Sequence, residues 1–176
     1  MLEVEAKIKV GSTDQVRSRL EENKAIFDKK SRQTDTYFNS QIRDFAESDE
    51  ALRIRNEDGF SEVTYKGPKI KGTGAKAREE FNVEISDADA LSQIFQKIGF
   101  FKSAEVLKTR EEFEFMGTKV ALDKVDNLGE FIEIEVVTDD RESALQKIEM
   151  VRKELGIKGD HIPESYLEMI LAKGRN

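Results

Sequence analysis

Charged side chains alternate with apolar ones along several short segments of this chain, and this period of two restricts the fold more than any other feature. In residues 2–8, LEVEAKI, every second residue is charged and the residues between them are apolar. Similar alternation recurs in 51–55, 78–85 and 131–137. Because successive side chains of a strand point to opposite faces, each segment predicts a strand with one charged and one apolar face.

The predicted elements follow the same order twice along the chain. A strand, a helix and three more strands are expected over about 1–67, and again over about 78–138. Two helices are expected to follow, over about 141–173. We therefore predict a single domain, 1–176, built from two β-α-β-β-β halves and C-terminal helices.

Turn and cap residues separate these elements. Asp58-Gly59 lies between two alternating runs, which is a strong hairpin signal, and a second hairpin is predicted across 126–129. Ser12 or Thr13 is predicted to cap the first helix, and Ser86 or Asp87 the second.

The apolar faces decide how such a sheet is covered. Amphipathic helices have to pack on them, so in a closed sheet the apolar face points outward and the charged face inward. Closure would also remove the two exposed edges. We predict an α+β fold: a closed eight-stranded antiparallel β-barrel with a charged interior and helices packed outside. The alternative is an open sheet whose charged face lies in water.

Composition excludes several functional classes. The 176 residues include no cysteine, which rules out disulfides, thiolate metal sites and a cysteine nucleophile. A net charge of −7 argues against binding to nucleic acid or to a membrane surface. No apolar run approaches the roughly 20 residues of a membrane span, and the first residues do not have the form of a signal peptide. We expect a cytoplasmic protein.

The predicted charged face carries two kinds of chemistry. Arginine forks and lysine ammonium groups bind phosphate oxygens, and these cations are available: Lys7, Arg53, Arg55, Lys66, Arg78, Lys108 and Arg110. Carboxylates are hard ligands for Mg²⁺ or Mn²⁺, and the candidates are Glu3, Glu5, Asp123, Glu133 and Glu135. Together the two sets predict a polyphosphate site that uses a divalent metal for phosphoryl transfer.

The spacing Glu3-x-Glu5-x-Lys7 resembles the ExExK signature of the CYTH superfamily, also called triphosphate tunnel metalloenzymes. The likeness continues in order through ALRIR, TYKG, KTR, ALDKV and GEFIEIE and covers nearly the whole chain. It implies an eight-stranded antiparallel tunnel that binds a small-molecule triphosphate, such as ATP, tripolyphosphate or thiamine triphosphate, along its axis. It also makes a homodimer plausible.

The resemblance implies a role for each matching residue. The basic positions would bind phosphate, and Glu3, Glu5, Asp123, Glu133 and Glu135 would supply metal ligands. Lys7, Glu5 and Glu133 are the candidate catalytic residues. Arg78, Glu80 and Glu84 resemble the family's central charged strand, in which Asn82 stands where another carboxylate is expected.

Two activities of the superfamily compete, and both need the same phosphate-binding groups. SYLEM, residues 165–169, resembles a terminal segment of class IV adenylyl cyclases, which convert ATP to cyclic AMP and pyrophosphate. The alternatives are hydrolysis of tripolyphosphate, a nucleoside triphosphate or thiamine triphosphate, or noncatalytic triphosphate binding. The same segment also fits a helix cap with Tyr166 as an aromatic anchor.

Two further features remain outside this scheme. GPKIKGTGAK, residues 67–76, lacks the GK[ST] ending of a P-loop and predicts a flexible loop. His161, the only histidine, predicts a turn before a helix, with a catalytic base as the alternative.

Overall fold

The computed structural model describes residues 2–69 and 78–174, without the side chain of Leu2. Within them it has eight strands and four helices in the order β1 Leu2–Val10, α1 Asp14–Glu22, β2 Ile26–Ser40, β3 Ala51–Glu57, β4 Phe60–Lys66, β5 Glu80–Glu84, α2 Ala88–Lys97, β6 Phe100–Phe115, β7 Thr118–Val125, β8 Gly129–Thr138, α3 Arg141–Glu154 and α4 Tyr166–Lys173. The predicted order of elements is thus observed. Most of the loop predicted at 67–76 lies outside the described residues.

The strands form one sheet in the order β1-β8-β7-β6-β2-β3-β4-β5, with antiparallel pairings. This confirms the α+β class and the eight-stranded antiparallel sheet. Strands β1 and β5 are the ends of the order. Closure into a barrel would join those two strands, and it stays a prediction.

Turn chemistry explains where the hairpins fall. Asp58 and Gly59 both have positive φ, 45° and 89°, as a tight two-residue hairpin turn requires. The second predicted hairpin also forms, with positive φ at Asn127 in the turn and at Gly129, the first residue of β8. Glycine reaches this conformation without a Cβ clash, which is why it marks both turns in the sequence.

Helix caps follow the sequence in part. Asp87 caps α2, its side chain accepting from the Ala90 amide at 2.8 Å. Thr13 is the N-cap residue of α1, but its side chain does not cap the helix. Instead its amide and hydroxyl both donate to Glu130 Oε2 at 2.7 Å. Helix α4 begins at Tyr166, with Ser165 as its cap.

The chain divides into two compact units. The described residues of unit 1 are 2–31 and 108–163, and those of unit 2 are 32–69, 78–107 and 164–174. The core of unit 1 lies on the apolar face of the sheet, where Ile8, Ile132 and Ile134 are fully buried. Helices α1 and α3 cover this face with Leu20 and Val151. Within unit 1, the helices therefore pack on the apolar face, as the strand pattern predicts.

Unit 2 has a smaller, more aromatic core. Phe38 and Ile54 are 2% exposed. Phe95 of α2 meets Phe38 edge-on with ring centroids 5.1 Å apart, and Phe100 lies 5.8 Å from Phe95. Edge-to-face contacts of this kind favour aromatic pairs beyond the area they bury. Among the described residues, none of the helices has the length and apolar character needed to cross a membrane.

Candidate functional site

A group of buried and half-buried charges, which we name the Lys7 cluster, lies on the sheet face of unit 1 opposite its core. Its members are Glu5 and Lys7 of β1, Lys108 and Arg110 of β6, Asp123 of β7, and Glu133 and Glu135 of β8. Register brings them together: Lys7 lies opposite Glu133, Glu5 opposite Glu135, and Arg110 opposite Asp123. Glu3 lies opposite Val137, further along the same face.

Lys7, the lysine that β1 contributes to this cluster, is almost completely buried. The residue is 2% exposed, and its Nζ lies 3.2 Å from Glu133 Oε1 and 3.6 Å from Glu5 Oε1. Buried charges are costly unless they are paired and hydrogen-bonded. The predicted alternative, a charged face lying openly in water, does not describe this residue.

Arg110 organises the other side of the cluster. Its Nε and Nη2 donate to the two oxygens of Asp123 at 2.7 and 2.5 Å, and Nη2 also donates to Glu133. Lys108 Nζ lies 3.8 Å from Asp123, which is fully buried. Bidentate guanidinium–carboxylate pairs fix orientation as well as charge. Arg110 is therefore held with its guanidinium plane set by Asp123.

The pKa values of the two glutamates of β8 move in opposite directions. Burial alone would raise the pKa of Glu133, but the charges of Arg110, Lys7 and Lys108 hold it well below its usual value. Burial raises the pKa of Glu135, and the negative charges of Glu5 and Glu133 raise it further. The positive charges of Lys119 and Arg110 lower it, but the net shift is upward. Glu133 is thus a stable anion, whereas negative charge accumulates unfavourably around Glu135.

This accumulation of carboxylates is the feature that fits a divalent cation. Glu5, Glu133 and Glu135 share one face of adjacent strands and offer the oxygen donors that Mg²⁺ or Mn²⁺ prefers. Asp123 fits less well, because both its oxygens accept from Arg110. Within residues 2–69 and 78–174, no three acidic or histidine side chains are already arranged as a metal-holding group.

Unit 2 has its own cluster of buried and half-buried charged and polar side chains, which we name the Asp35 cluster: Asp35 of β2, Arg53 and Arg55 of β3, and Glu62 and Thr64 of β4. Arg55 donates to both oxygens of Asp35 at 2.6 and 2.7 Å, and Arg53 Nη1 lies 3.7 Å from the same carboxylate. Arg53 also donates to the Thr64 hydroxyl at 2.8 Å. Two arginines thus converge on one carboxylate that is 1% exposed.

The remaining basic candidates of unit 2 lie near the start of β5. Lys66 Nζ donates to Glu80 Oε1 at 2.6 Å, directly across the β4–β5 pair. Arg78 Nη2 lies 3.7 Å from Asp49 Oδ1. Asn82 lies opposite Thr64, and Glu84 lies opposite Glu62, so both share the face of the Asp35 cluster.

Sequence reasoning did not identify Asp35 or Glu62. Asp35 shares a strand face with Gln33 and Tyr37, and its neighbours Thr34 and Thr36 on the other face are also polar, so no apolar face revealed the pattern. A partial signal was present, because the two arginines of ALRIR need an anion. Only the structure shows that β2 pairs with this segment and sets Asp35 opposite Arg55.

SYLEM also acquires a structural role. Ser165 Oγ accepts from the Glu168 amide, and Glu168 Oε2 accepts from the Ser165 amide, which is a complete capping box. The other Glu168 oxygen accepts from Lys69 Nζ at 2.8 Å. The helix-cap interpretation with Tyr166 as an anchor agrees with this geometry, since Tyr166 is 6% exposed.

Comparison with known proteins identifies similar sequences over nearly the whole chain. The model of the CYTH domain matches residues 1–166. A protein of Methanocaldococcus jannaschii described as "Putative adenylate cyclase" is 42% identical, with 96% of this chain and 98% of that protein aligned. These matches span nearly the full length of both chains.

Solved structures share the fold over a similar length. The PH1819 protein of Pyrococcus horikoshii is 37% identical, covers 97% of this chain and 99% of its own, and superimposes with a TM-score of 0.87. A Hippeastrum protein described as a "Putative adenylyl cyclase" with a dominant triphosphatase activity has a TM-score of 0.74 at 19% identity, covering 98% of this chain and 95% of its own. The sheet order, the ExExK strand and the family match together show that this chain belongs to the CYTH domain family.

Proposed function

We propose that this protein is a metal-dependent enzyme that acts on a triphosphate, and that its reaction is the conversion of ATP to cyclic AMP and pyrophosphate. The observation that carries the proposal is the Lys7 cluster, in which Lys7, Lys108 and Arg110 converge on one sheet face beside three glutamates. A face built for stability alone has no need of so many buried charges, because apolar residues would fill it at lower cost.

The cations supply the phosphate-binding half of this chemistry. An entering phosphate can replace the Glu133 carboxylate at Lys7 and Arg110, because phosphate oxygens accept from ammonium and guanidinium groups in the same geometry. Asp123 keeps the Arg110 fork in one orientation during such an exchange. The exchange neutralises phosphate charge, which is the main requirement of phosphoryl transfer.

The glutamates supply the other half. Glu5, Glu133 and Glu135 would hold the divalent cation, which would supply Lewis acidity at phosphate oxygens. The low pKa of Glu133 keeps its carboxylate ionised, and therefore able to accept, across the neutral range. In the cyclisation, the ribose 3′-hydroxyl loses its proton to solvent and its oxygen bonds to the α-phosphorus, while the bond from that phosphorus to the α,β-bridging oxygen breaks and pyrophosphate leaves with those electrons.

Two lines support the cyclase reaction over the alternatives. The M. jannaschii relative is described as a "Putative adenylate cyclase", and the likeness covers almost the whole chain. SYLEM, the segment that resembles class IV cyclases, is integrated into unit 2 through Glu168 and Lys69.

Triphosphate hydrolysis is the second candidate. The Hippeastrum protein carries a dominant triphosphatase activity by its description, and its shared fold indicates that the architecture accommodates hydrolysis. Hydrolysis needs the same phosphate-binding groups and differs only in using water as the nucleophile at the terminal phosphate.

Product analysis with ATP separates these proposals. The purified protein is incubated with ATP and Mg²⁺ or Mn²⁺ at several pH values, and parallel samples receive tripolyphosphate or thiamine triphosphate. Cyclic AMP and pyrophosphate in equal amounts are expected. Formation of ADP and phosphate instead would show that the protein is a triphosphate hydrolase and would contradict the cyclase proposal. Tight tripolyphosphate binding without any product would leave a noncatalytic triphosphate-binding module.

A further inference from the structure

Residues 157–162, which we name the clamp segment, run along the edge of β1 that faces away from β8. Ile8 and His161 form an antiparallel bridge. The Lys7 amide donates to His161 Nδ1 at 3.1 Å, and the Ile162 amide donates to the Lys7 carbonyl at 2.8 Å. His161 is therefore neither a simple turn residue nor, in this geometry, a base directed at a substrate through Nδ1.

The clamp segment is itself anchored. Gly159 has φ +114°, which strains a residue with a Cβ, and a Cβ there would lie 3.2 Å from Ile8 Cγ2, so Ile8 would have to shift slightly to admit one. Arg152 Nη2 donates to the Gly159 carbonyl at 2.6 Å. Ile157 is packed in the core of unit 1. These contacts fix the position from which the imidazole reaches Lys7.

The amide and carbonyl of Lys7 both point towards the clamp segment, and this determines how its side chain meets Glu133. In an antiparallel ladder the amide and carbonyl of one residue point to the same side. Both groups of Lys7 bind the clamp segment, so Lys7 and Glu133 form a pair of the type that is not hydrogen-bonded through the backbone. Side chains are closest in such pairs, in agreement with the 3.2 Å from Lys7 Nζ to Glu133.

We propose that His161 is a positioning residue, whose Nδ1 holds the backbone of Lys7 so that its ammonium group points into the Lys7 cluster. The role rests on the proposed function, because it concerns the lysine that would bind phosphate. An Nδ1 that accepts a backbone hydrogen bond places the imidazole proton on Nε2. The side chain acts on the substrate only through Lys7.

A matched pair of substitutions tests this role. His161→Leu removes the acceptor and keeps similar bulk, whereas in His161→Asn the amide oxygen stands where Nδ1 stood. Lys7→Met removes the ammonium group, and the double variant His161→Leu/Lys7→Met closes a thermodynamic cycle. Tripolyphosphate affinity is measured by calorimetry without metal, at a temperature where circular dichroism shows each variant folded. Hydrogen exchange at the Lys7 amide is measured by NMR.

The expected results separate positioning from general stability. His161→Leu should weaken tripolyphosphate binding about tenfold, the scale of one lost hydrogen bond, and speed exchange of the Lys7 amide. His161→Asn should recover most of the affinity. In the Lys7→Met background, His161→Leu should cost nothing further, because the lysine on which it acts is gone.

Several outcomes would overturn the proposal. Equal affinities of His161→Leu and wild type would do so, as would equal losses in His161→Leu and His161→Asn, or an undiminished loss in the Lys7→Met background. If His161→Leu does not fold, Ile162→Pro removes the amide that donates to the Lys7 carbonyl and carries the same expectation. Failure of wild type to bind tripolyphosphate would instead sink the proposed function, a result distinct from normal binding that is insensitive to His161.

Discussion

Asp35 holds Arg55 through two hydrogen bonds, from Nε at 2.6 Å and from Nη2 at 2.7 Å, inside unit 2. Asp123 holds Arg110 in the same bidentate way inside unit 1. Each carboxylate also has a second cation within 3.8 Å, Arg53 or Lys108. Both units thus contain a buried carboxylate that keeps two cations oriented and partly neutralised.

Asp35→Asn should therefore destabilise the protein more than an exposed substitution does. Removing one partner of a buried ion pair leaves the other charge uncompensated, which lowers the free energy of unfolding by about 3–5 kcal/mol. The free energy of unfolding is measured by urea denaturation. Added tripolyphosphate should reduce the difference in free energy of unfolding between Asp35→Asn and wild type, because a phosphate can replace the lost carboxylate at Arg55. Asp28→Asn, on the exposed part of β2, is the control, and an equal effect in both variants would contradict this role of Asp35.

Removal of a buried cation should chiefly weaken phosphate binding. We expect Lys108→Ala in unit 1 and Arg53→Ala in unit 2 each to raise the Kd for tripolyphosphate about tenfold or more, equivalent to at least about 1.4 kcal/mol. Lys102→Ala removes an exposed lysine of the same strand as Lys108 and serves as the matched control. Calorimetry without metal measures the affinities, and a loss as large in the control would refute the assignment.

Glu133→Gln should separate binding from turnover. The substitution removes a candidate metal ligand and also an anion that competes with phosphate for Lys7 and Arg110. We expect metal-dependent turnover to fall at least about 100-fold, while the metal-free affinity for tripolyphosphate does not fall. Steady-state kinetics and calorimetry measure the two quantities. Glu105→Gln, an exposed residue of β6, should change neither.

Glu168 should make stability depend on pH in the acid range. Burial opposes its ionisation, but hydrogen bonds from Lys69 and Ser165 lower its pKa from 4.5 to about 2. A lowered folded-state pKa gives a stabilisation that is present above about pH 4.5 and is lost as the pH falls towards 2. Between those values wild type should lose more stability than Glu168→Gln. Thermal unfolding at each pH measures the difference, and parallel curves would contradict it.

Gly156→Ala should destabilise unit 1 at the end of α3. Gly156 has φ +58°, and a Cβ there would lie 1.4 Å from Arg19 Nη1, which donates to the Leu155 carbonyl at 2.8 Å. The backbone conformation alone costs about 1–2 kcal/mol in a residue with a Cβ. The double variant Arg19→Ala/Gly156→Ala should relieve the clash but not that cost. Gly11→Ala, which meets nothing within 4 Å, is the control in urea denaturation.

Local patterns predicted much of this architecture because they report local physics. Alternation at Glu3, Glu5 and Lys7 places those side chains on one face of a strand wherever the strand goes. Asp58-Gly59 predicts its hairpin because a two-residue turn needs backbone conformations that these residues tolerate. The element order and the charged face of the sheet could be derived on these grounds.

Contacts between distant segments could not be derived in this way. Glu130 replaces a local cap at Thr13 across 117 positions of sequence, and His161 binds the backbone of Lys7 across 154. Asp35 was missed because its importance depends on the register that sets it opposite Arg55. A shift of one residue would turn it to the other face, and no local pattern in a polar strand specifies that register.

The sequence by itself determined which side chains share a strand face and which chemistry that face offers, because both follow from the two-residue period and from residue type. Only the tertiary structure decided which carboxylate orients which cation, how deeply Lys7 and Asp123 are buried, and what holds the free edge of β1. These relations depend on strand register and on packing between segments far apart in the chain, where small differences in side-chain fit select one arrangement.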